Sequence, residues 1–240
     1  MTLHWLEQGE TEFPPLGAAL KEPNGLLAAG GDLSPELLAS AYRRGIFPWY
    51  QAGQPVLWWS PDPRMVLFPS AIRISSSMSK LLRKQLYKIT IDSCFTRVIK
   101  ACSGIGKQRE ETWITQQMID AYSQLHDLGI AHSVEVWEKD QLVGGLYGVA
   151  IGQVFFGESM FSAVKNTSKL ALIFLCRQLH AWDFKLIDCQ VASPHLISMG
   201  AEEISRSDFV LTLNKLVNQQ PSNQSWEATL TMRQLATNEY

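Results

Sequence analysis

The chain has 240 residues, of which 46% are hydrophobic and 18% charged, and its formal net charge is −2. This composition is ordinary for a globular protein of one large or two modest domains; no run reaches the ~18 apolar residues of a membrane span, and residues 1–10 lack a signal-peptide pattern, so we expect a cytosolic protein. The four cysteines and five histidines lack the spacing of metal ligands or of a disulfide framework, so we expect neither.

The N-terminal part is predicted to form a small unit. Pro35 suits the first position of a short helix capped by Asp32 or Ser34, and Gly45 and Pro48 end it. Two prolines within residues 58–64 predict a rigid junction, because proline fixes φ and biases its neighbours towards extended backbone. We therefore predict one domain over residues 1–63 and a second over residues 64–240.

A basic segment opens the second domain. Residues 64–109 carry ten basic groups and one acid, which is the pattern expected where phosphates are neutralised. Ser75–Ser77 can cap a helix that has one cationic and one apolar face. The cationic face is predicted to carry Lys80, Arg83, Lys84 and Lys88, and the apolar face Met78, Leu81, Leu82 and Leu86. RNA or another polyanion is the expected partner, and a solvated helix that serves solubility only is the alternative.

The remaining elements alternate between helical and strand patterns. A helix is predicted over residues 114–128, followed by strands at 133–137, 141–149 and 153–162. A helix at about 167–181, a strand at 185–190, a short helix after Pro194 and a final strand near 209–213 follow, and the polar tail from Gln219 is taken as a loosely packed appendage. This order predicts an α+β fold whose C-terminal domain is a GNAT-like N-acyltransferase domain with a mostly antiparallel central sheet.

The start of the helix near residue 167 argues against coenzyme A as a substrate. GNAT-like enzymes usually hold its pyrophosphate on a glycine-containing loop at this helix N-terminus. Residues 163–169 contain no glycine. We therefore expect a different acyl donor.

Glu158 is the first candidate for a functional residue, because it is a lone carboxylate in the apolar, β-prone run 153–162. An ionised carboxylate that is buried without a partner is costly. A buried ion pair with Lys165 or Lys169 is one interpretation. Substrate binding is the other, since Gly157 would allow close approach of a ligand.

Several blocks of the chain resemble the leucyl/phenylalanyl-tRNA protein transferase family. They include NGLLAAGGDL at 24–33, GIFPW at 45–49, WWSPDPR at 58–64, TWI at 112–114, AHSVEVW at 131–137, LVGGLYGV at 142–149, GESMFS at 157–162 and DCQ at 188–190. The resemblance implies transfer of Leu or Phe, and less readily Met, from aminoacyl-tRNA to proteins that begin with Arg or Lys. This reaction tags proteins for N-degron-dependent degradation. We expect no metal or coenzyme, and a monomer.

The reaction implied by this resemblance is aminolysis of an ester, which needs an acceptor for a proton of the attacking amine. Asp188 and Gln190 are two residues apart on a predicted strand, so their side chains are expected to share a face, with Cys189 pointing the other way. We expect Asp188 to orient Gln190, whose carbonyl oxygen accepts from the amine, while Glu158 binds the substrate. Alternatively, Asp188 and Glu158 jointly bind the cationic start of the acceptor protein.

The resemblance also implies an apolar pocket for the transferred side chain and the terminal adenosine. Its residues are Trp49, Trp113, Leu146, Phe155, Leu175 and Ile187. Binding of tRNA is implied for Lys80, Arg83 and Lys84, and Arg73 and Lys88 are further candidates. Three other functions remain open: a coenzyme A-dependent N-acyltransferase, a peptidoglycan-bridge aminoacyl transferase and a non-catalytic RNA-binding module.

Overall fold

The computed structural model describes residues 3–104, 113–223, 225–231 and 234–235. Thr112, from one of the family-like blocks, and Lys107 and Arg109, from the basic segment, lie outside the described residues. Within the described ranges, no helix combines the length and apolar character needed to cross a bilayer.

The N-terminal residues form a small sheet with one helix. Its elements are β1 (His4–Leu6), β2 (Leu26–Gly30), α1 (Pro35–Arg43), β3 (Phe47–Pro48) and β4 (Leu57–Trp59). The strand order is β1-β2-β4-β3, in which β1 runs parallel to β2 and the other pairs are antiparallel. The helix begins as predicted, with Ser34 as N-cap and Pro35 at the first position, while Asp32 accepts a hydrogen bond from the Ser34 amide.

The second part of the chain forms a larger sheet covered on both faces. Its elements are β5 (Arg64–Leu67), α2 (Ser76–Arg83), β6 (Lys88–Ile91), α3 (Phe95–Cys102), α4 (Gln116–Asp127), β7 (Ala131–Glu138), β8 (Gln141–Ile151), β9 (Val154–Ser162), α5 (Thr167–Ala181), β10 (Leu186–Gln190), α6 (Pro194–Ser198), β11 (Glu202–Ile204) and α7 (Arg206–Leu216). The strand order is β11-β5-β10-β9-β8-β7-β6, and the β9–β10 pair is parallel. The predicted α+β architecture with a mostly antiparallel sheet is confirmed.

Two apolar clusters cover the faces of this sheet. One contains the apolar residues of α5, and the other joins α3 and α4 to α1 and the N-terminal sheet. The small sheet ends with β4 at Trp59, and Arg64 begins the large one. The division into domains at residue 63 stays a prediction.

The predicted strand near 209–213 is wrong, because this segment lies in α7. The Ser205 hydroxyl caps the helix by accepting a hydrogen bond from the Asp208 amide at 3.1 Å. Phe209 and Leu213, which are buried, are four residues apart and therefore share one helical face. The cap and this spacing favour a helix over a strand.

The basic helix is shorter than predicted. Ser75 caps α2 by accepting from the Met78 amide, but the helix ends at Arg83, so Lys88 lies on the edge strand β6. Leu86 is 55% exposed instead of packing in the apolar face. The four cations predicted for one helix face therefore do not all lie on it, because Lys88 is on β6.

The tail is more tightly packed than the predicted loose appendage. Trp226 stacks on His132 with ring centroids 3.6 Å apart, and Leu235 is buried. The Gln178 side chain accepts from the Thr229 and Leu230 amides. The prediction of a loose appendage rested on the polar composition of this segment, in which the few apolar side chains, including Trp226 and Leu235, pack against the rest of the protein.

Candidate active site

A pocket of about 340 Å³ lies where β9 and β10 separate. The seven predicted substrate-binding residues all contribute to its lining, together with Gln190 and Cys189. They are Trp49, Trp113, Leu146, Phe155, Glu158, Leu175 and Ile187. Most of these side chains are apolar, so the pocket suits an apolar group, with polar chemistry available at one edge.

Glu158 is placed at this edge by an irregularity in β9. Gly157 pairs with Gly148 of β8, and Ser159 pairs with Tyr147, so Glu158 is the additional residue of a β-bulge. Such a bulge re-aims side chains and bends the strand. A Cβ on Gly148 would lie 2.2 Å from the Phe156 carbonyl oxygen, so this close approach requires glycine.

Gln190 reaches the same point from β10. The β9–β10 pairing ends at Asp188, and the register of β10 against β5 shifts between Asp188 and Gln190. Gln190 has a left-handed φ of 65°, which turns its side chain towards β9. Its Nε2 donates a hydrogen bond of 2.7 Å to Glu158 Oε1.

Three donors hold the Glu158 carboxylate. Besides Gln190, the hydroxyl of Tyr42 donates to Oε1 at 2.7 Å and that of Tyr122 donates to Oε2 at 2.9 Å. The two hydroxyls also contact each other. In the described part of the chain, Glu158 forms no ion pair with Lys165 or Lys169, so that interpretation is wrong.

Burial raises the pKa of Glu158 to about 7, although its three hydrogen-bond donors act in the opposite direction. Burial, reinforced by the nearby Glu158 charge, raises the pKa of both Tyr42 and Tyr122 well above the ordinary value. Both phenols therefore keep their protons near neutral pH and act as donors. The carboxylate is poised to gain or lose a proton in this range.

Asp188 lies outside the pocket lining and forms a buried ion pair with Arg64. The guanidinium donates from Nε to Oδ1 at 2.8 Å and from Nη2 to Oδ2 at 2.6 Å, and neither side chain is exposed. The rings of Phe47 and Phe209 lie 4.8 and 4.6 Å from the guanidinium carbon. Joint binding of a substrate cation by Asp188 and Glu158 is therefore wrong, because Asp188 is enclosed with Arg64.

The predicted sharing of a face by Asp188 and Gln190 is also wrong. Cys189, instead of Asp188, lines the pocket, because the register shift breaks the simple alternation of side chains. Asp188 Oδ1 accepts from the main-chain N–H of Gln190 at 2.9 Å, so Asp188 holds the backbone of Gln190. Burial raises the pKa of the Cys189 thiol, which therefore stays protonated.

Sequence reasoning missed Tyr42, Tyr122 and Arg64 as parts of the site. Each tyrosine sits at a buried position of a helix, where an aromatic residue is usually part of the core. The basic segment 64–109 groups Arg64 with surface cations, although its side chain is buried. The proline-rich block before it gives no sign that its side chain is buried.

The cationic candidates lie on the surface. Arg73, Lys80, Arg83, Lys84 and Lys88 are exposed, and none forms an ion pair within the described ranges. The apolar side chains of Met78 and Leu82 anchor α2 to the core. These cations are therefore available to a polyanion, whereas the buried Arg64 is not.

An apolar pocket edged by a titratable carboxylate, on a chain that also exposes a group of surface cations, suits an aminoacyltransferase that binds tRNA, and comparison with known proteins shows that this is the class of the chain. The family model "Leucyl/phenylalanyl-tRNA protein transferase" matches residues 66–214, and its N-terminal domain model matches residues 31–62. The chain belongs to the leucyl/phenylalanyl-tRNA protein transferase family.

Individual relatives match over most of their length. A leucyl/phenylalanyl-tRNA protein transferase of Nitrosomonas europaea is 58% identical over 90% of this chain and 92% of that protein. One of Ectopseudomonas mendocina is 57% identical over 94% of this chain and the whole of that protein. A solved GCN5-related N-acetyltransferase from Kribbella flavida, 10% identical over 71% of this chain and 61% of that chain, has a TM-score of 0.38. That last similarity is too low to bear on fold or function.

Proposed function

We propose that the chain transfers Leu or Phe, and less readily Met, from aminoacyl-tRNA to proteins whose first residue is Arg or Lys. Membership of the family supports aminoacyl transfer, and the joint lining of one pocket by Glu158, Gln190 and the apolar residues carries the proposal. In this proposal the enzyme is a monomer that acts in the cytoplasm, and transfer marks the acceptor protein for N-degron-dependent degradation.

The transferred side chain occupies the apolar part of the pocket. Leu146, Phe155, Leu172, Leu175 and Ile187 supply walls without charge. Such walls discriminate weakly, because one methylene is worth about 1–3 kcal/mol. Acceptance of Leu, Phe and Met together is the expected result. Trp49, which is 45% exposed at the pocket, offers a ring on which the terminal adenine can stack.

The α-amine of the acceptor attacks the ester carbonyl, a tetrahedral oxyanion forms and the ribose hydroxyl of the terminal adenosine leaves. The amine must lose a proton as the new C–N bond forms. We assign Glu158 as the acceptor of that proton, since its pKa of about 7 lies close to the operating pH. This replaces the predicted role of Glu158 as a binder of the substrate cation.

Gln190 and Asp188 support this step in different ways. Gln190 directs its amide N–H to Glu158, and no hydrogen bond within the described chain uses its carbonyl oxygen, which can therefore accept from the incoming amine. Asp188 does not reach the pocket and acts as a positioning residue. Its carboxylate fixes the main chain of Gln190 in the left-handed conformation that the site requires.

The function is tested by mixing the protein with labelled Leu-tRNA and peptides that begin with Arg, Lys or Ala. We expect label in the Arg and Lys peptides and none in the Ala peptide. Absence of transfer to every peptide would contradict the proposal and favour a non-catalytic RNA-binding module. A parallel reaction with labelled acetyl coenzyme A tests the alternative function of a coenzyme A-dependent N-acyltransferase. Label in the peptides of that reaction would favour this alternative.

Neutralising the cations of α2 is expected to weaken binding of tRNA. In Lys80→Gln/Arg83→Gln/Lys84→Gln, loss of three phosphate contacts should flatten the slope of log K against log salt by roughly 2–3. The slope is measured by titrating tRNA at several salt concentrations. Lys21→Gln/Lys139→Gln/Lys215→Gln, which changes exposed lysines elsewhere, is the matched control and should keep the original slope. Equal slopes in the two variants would assign the α2 cations to solubility only.

A further inference from the structure

The C-terminal tail packs behind one wall of the pocket. Trp226 lies among four aromatic rings, with centroid distances of 3.6 Å to His132, 5.3 Å to Trp182, 5.8 Å to Phe184 and 6.0 Å to Phe155. Of these, Phe155 lines the pocket. The indole therefore contacts a residue whose ring also faces the proposed site of the transferred side chain.

Phe155 has little freedom on the side of the sheet. A Cβ on Gly148 would come within 2.6 Å of its ring, so the ring lies close against the backbone of β8. The residue is 1% exposed. The Phe155 ring is held by β8 on one side and by the indole of Trp226 on another. Its position therefore depends on the side chain at residue 226.

Hydrogen bonds from α5 fasten the tail in this position. The side-chain Oε1 of Gln178 accepts from the main-chain amides of Thr229 and Leu230 at 2.9 and 3.0 Å. Its Nε2 donates to the Thr229 hydroxyl at 2.6 Å. Arg177 donates to the Leu235 carbonyl at 2.7 Å. Gln178 is one turn beyond Leu175, which lines the pocket, so the tail and the pocket share a helix as well as Phe155.

We propose that Trp226 is a specificity-determining residue, which sets the size of the pocket by supporting Phe155 from behind. The proposal rests on the proposed transfer of apolar amino acids. Removal of the indole leaves a space into which the Phe155 ring can retreat, because cores relax partly around deleted side chains. The pocket then enlarges, which favours Phe over the smaller Leu.

The test is the ratio of kcat/KM for Phe-tRNA to kcat/KM for Leu-tRNA in Trp226→Ala, with an Arg-initiated peptide as acceptor. We expect this ratio to rise at least about fivefold, as expected for the selectivity of an apolar pocket. Trp226→Phe keeps a ring behind Phe155 and should stay close to the wild-type ratio. Glu227→Ala changes an exposed neighbour in the tail and is the matched control.

A fall of both kcat/KM values by the same factor, or an unchanged ratio, would overturn the proposal and leave Trp226 with a role in stability only. If Trp226→Ala does not fold, Trp226→Leu, which is also smaller than Trp, is expected to shift the ratio in the same direction. Failure of the proposed function is a separate outcome, in which the wild-type protein transfers neither amino acid.

Discussion

Replacing Glu158 by Gln is expected to lower kcat for peptide aminoacylation by about 10²–10⁴-fold, the usual contribution of a general base. Gln has the same shape as Glu and can still form hydrogen bonds with the two tyrosine hydroxyls and the Gln190 side-chain amide. It cannot take a proton from the attacking amine. Steady-state transfer from Leu-tRNA to an Arg-initiated peptide measures the loss.

The pH dependence of kcat/KM identifies the cause of this loss. The pKa of Glu158 is about 7, so its carboxylate form increases as the pH rises through 7, and the acceptor amine loses its proton near about 7.7–8.0. Below both values, wild-type kcat/KM should rise with a slope of about 2 on a logarithmic scale. In Glu158→Gln, only the acceptor amine still titrates in this range, so the slope of the kcat/KM profile should be about 1.

Tyr122→Phe is the companion variant for this experiment. It removes a donor to Glu158 Oε2, which disfavours the ionised form and should move the Glu158 limb of the profile to higher pH.

An unchanged kcat with a higher KM for Arg peptides in Glu158→Gln would contradict the role of base and restore that of cation binder. Thermal unfolding of the variant checks the fold, and no loss of stability is expected, because Gln removes the cost of burying a charge.

Replacing Arg64 by Met is expected to lower the free energy of unfolding by about 3–5 kcal/mol, because Asp188 is left buried without its counterion. Met fills much of the space between the rings of Phe47 and Phe209. The variant therefore removes the charge with a limited loss of packing. Urea denaturation measures the change.

The double variant Arg64→Met/Asp188→Asn is expected to regain most of this stability, because neither charge then remains unpaired. The side-chain oxygen of the introduced asparagine can still accept from the Gln190 amide, so transfer should stay within about tenfold of wild type if Asp188 only positions the chain. A loss as large as that of Glu158→Gln would assign Asp188 a role in proton transfer. A stability of Arg64→Met close to wild type would show that the ion pair contributes little.

The regular elements could be predicted because their causes are local. The helix predicted at about 167–181 is found at Thr167–Ala181, and the three central strands agree within a few residues. Periodicity and turn residues are sufficient for such segments. The strand predicted near 209–213 is wrong because the apolar residues of this segment also suit one face of a helix, and Ser205 caps that helix.

The candidate residues could be grouped from the sequence, but their contacts could not. Strand alternation placed Asp188 and Gln190 on one face, and one register shift with one left-handed residue reverses that result. The bulge at Glu158 likewise has no local sequence signal apart from Gly157. The register shift of β10 depends on β5, which is distant in the sequence, and the bulge depends on how β9 pairs with the neighbouring β8, so both emerge only in the folded sheet.

The hydrogen bond from Tyr42 to Glu158 spans 116 positions of the chain, and the one from Gln190 reaches back 32. The donors around Glu158 therefore come from parts of the chain that are far apart in the sequence, and bringing them together costs loop-closure entropy during folding. A chain shortened before residue 190 would lack Gln190, which is one of the three donors to Glu158. Under the proposed function, we expect such a shortened chain to be inactive in aminoacyl transfer.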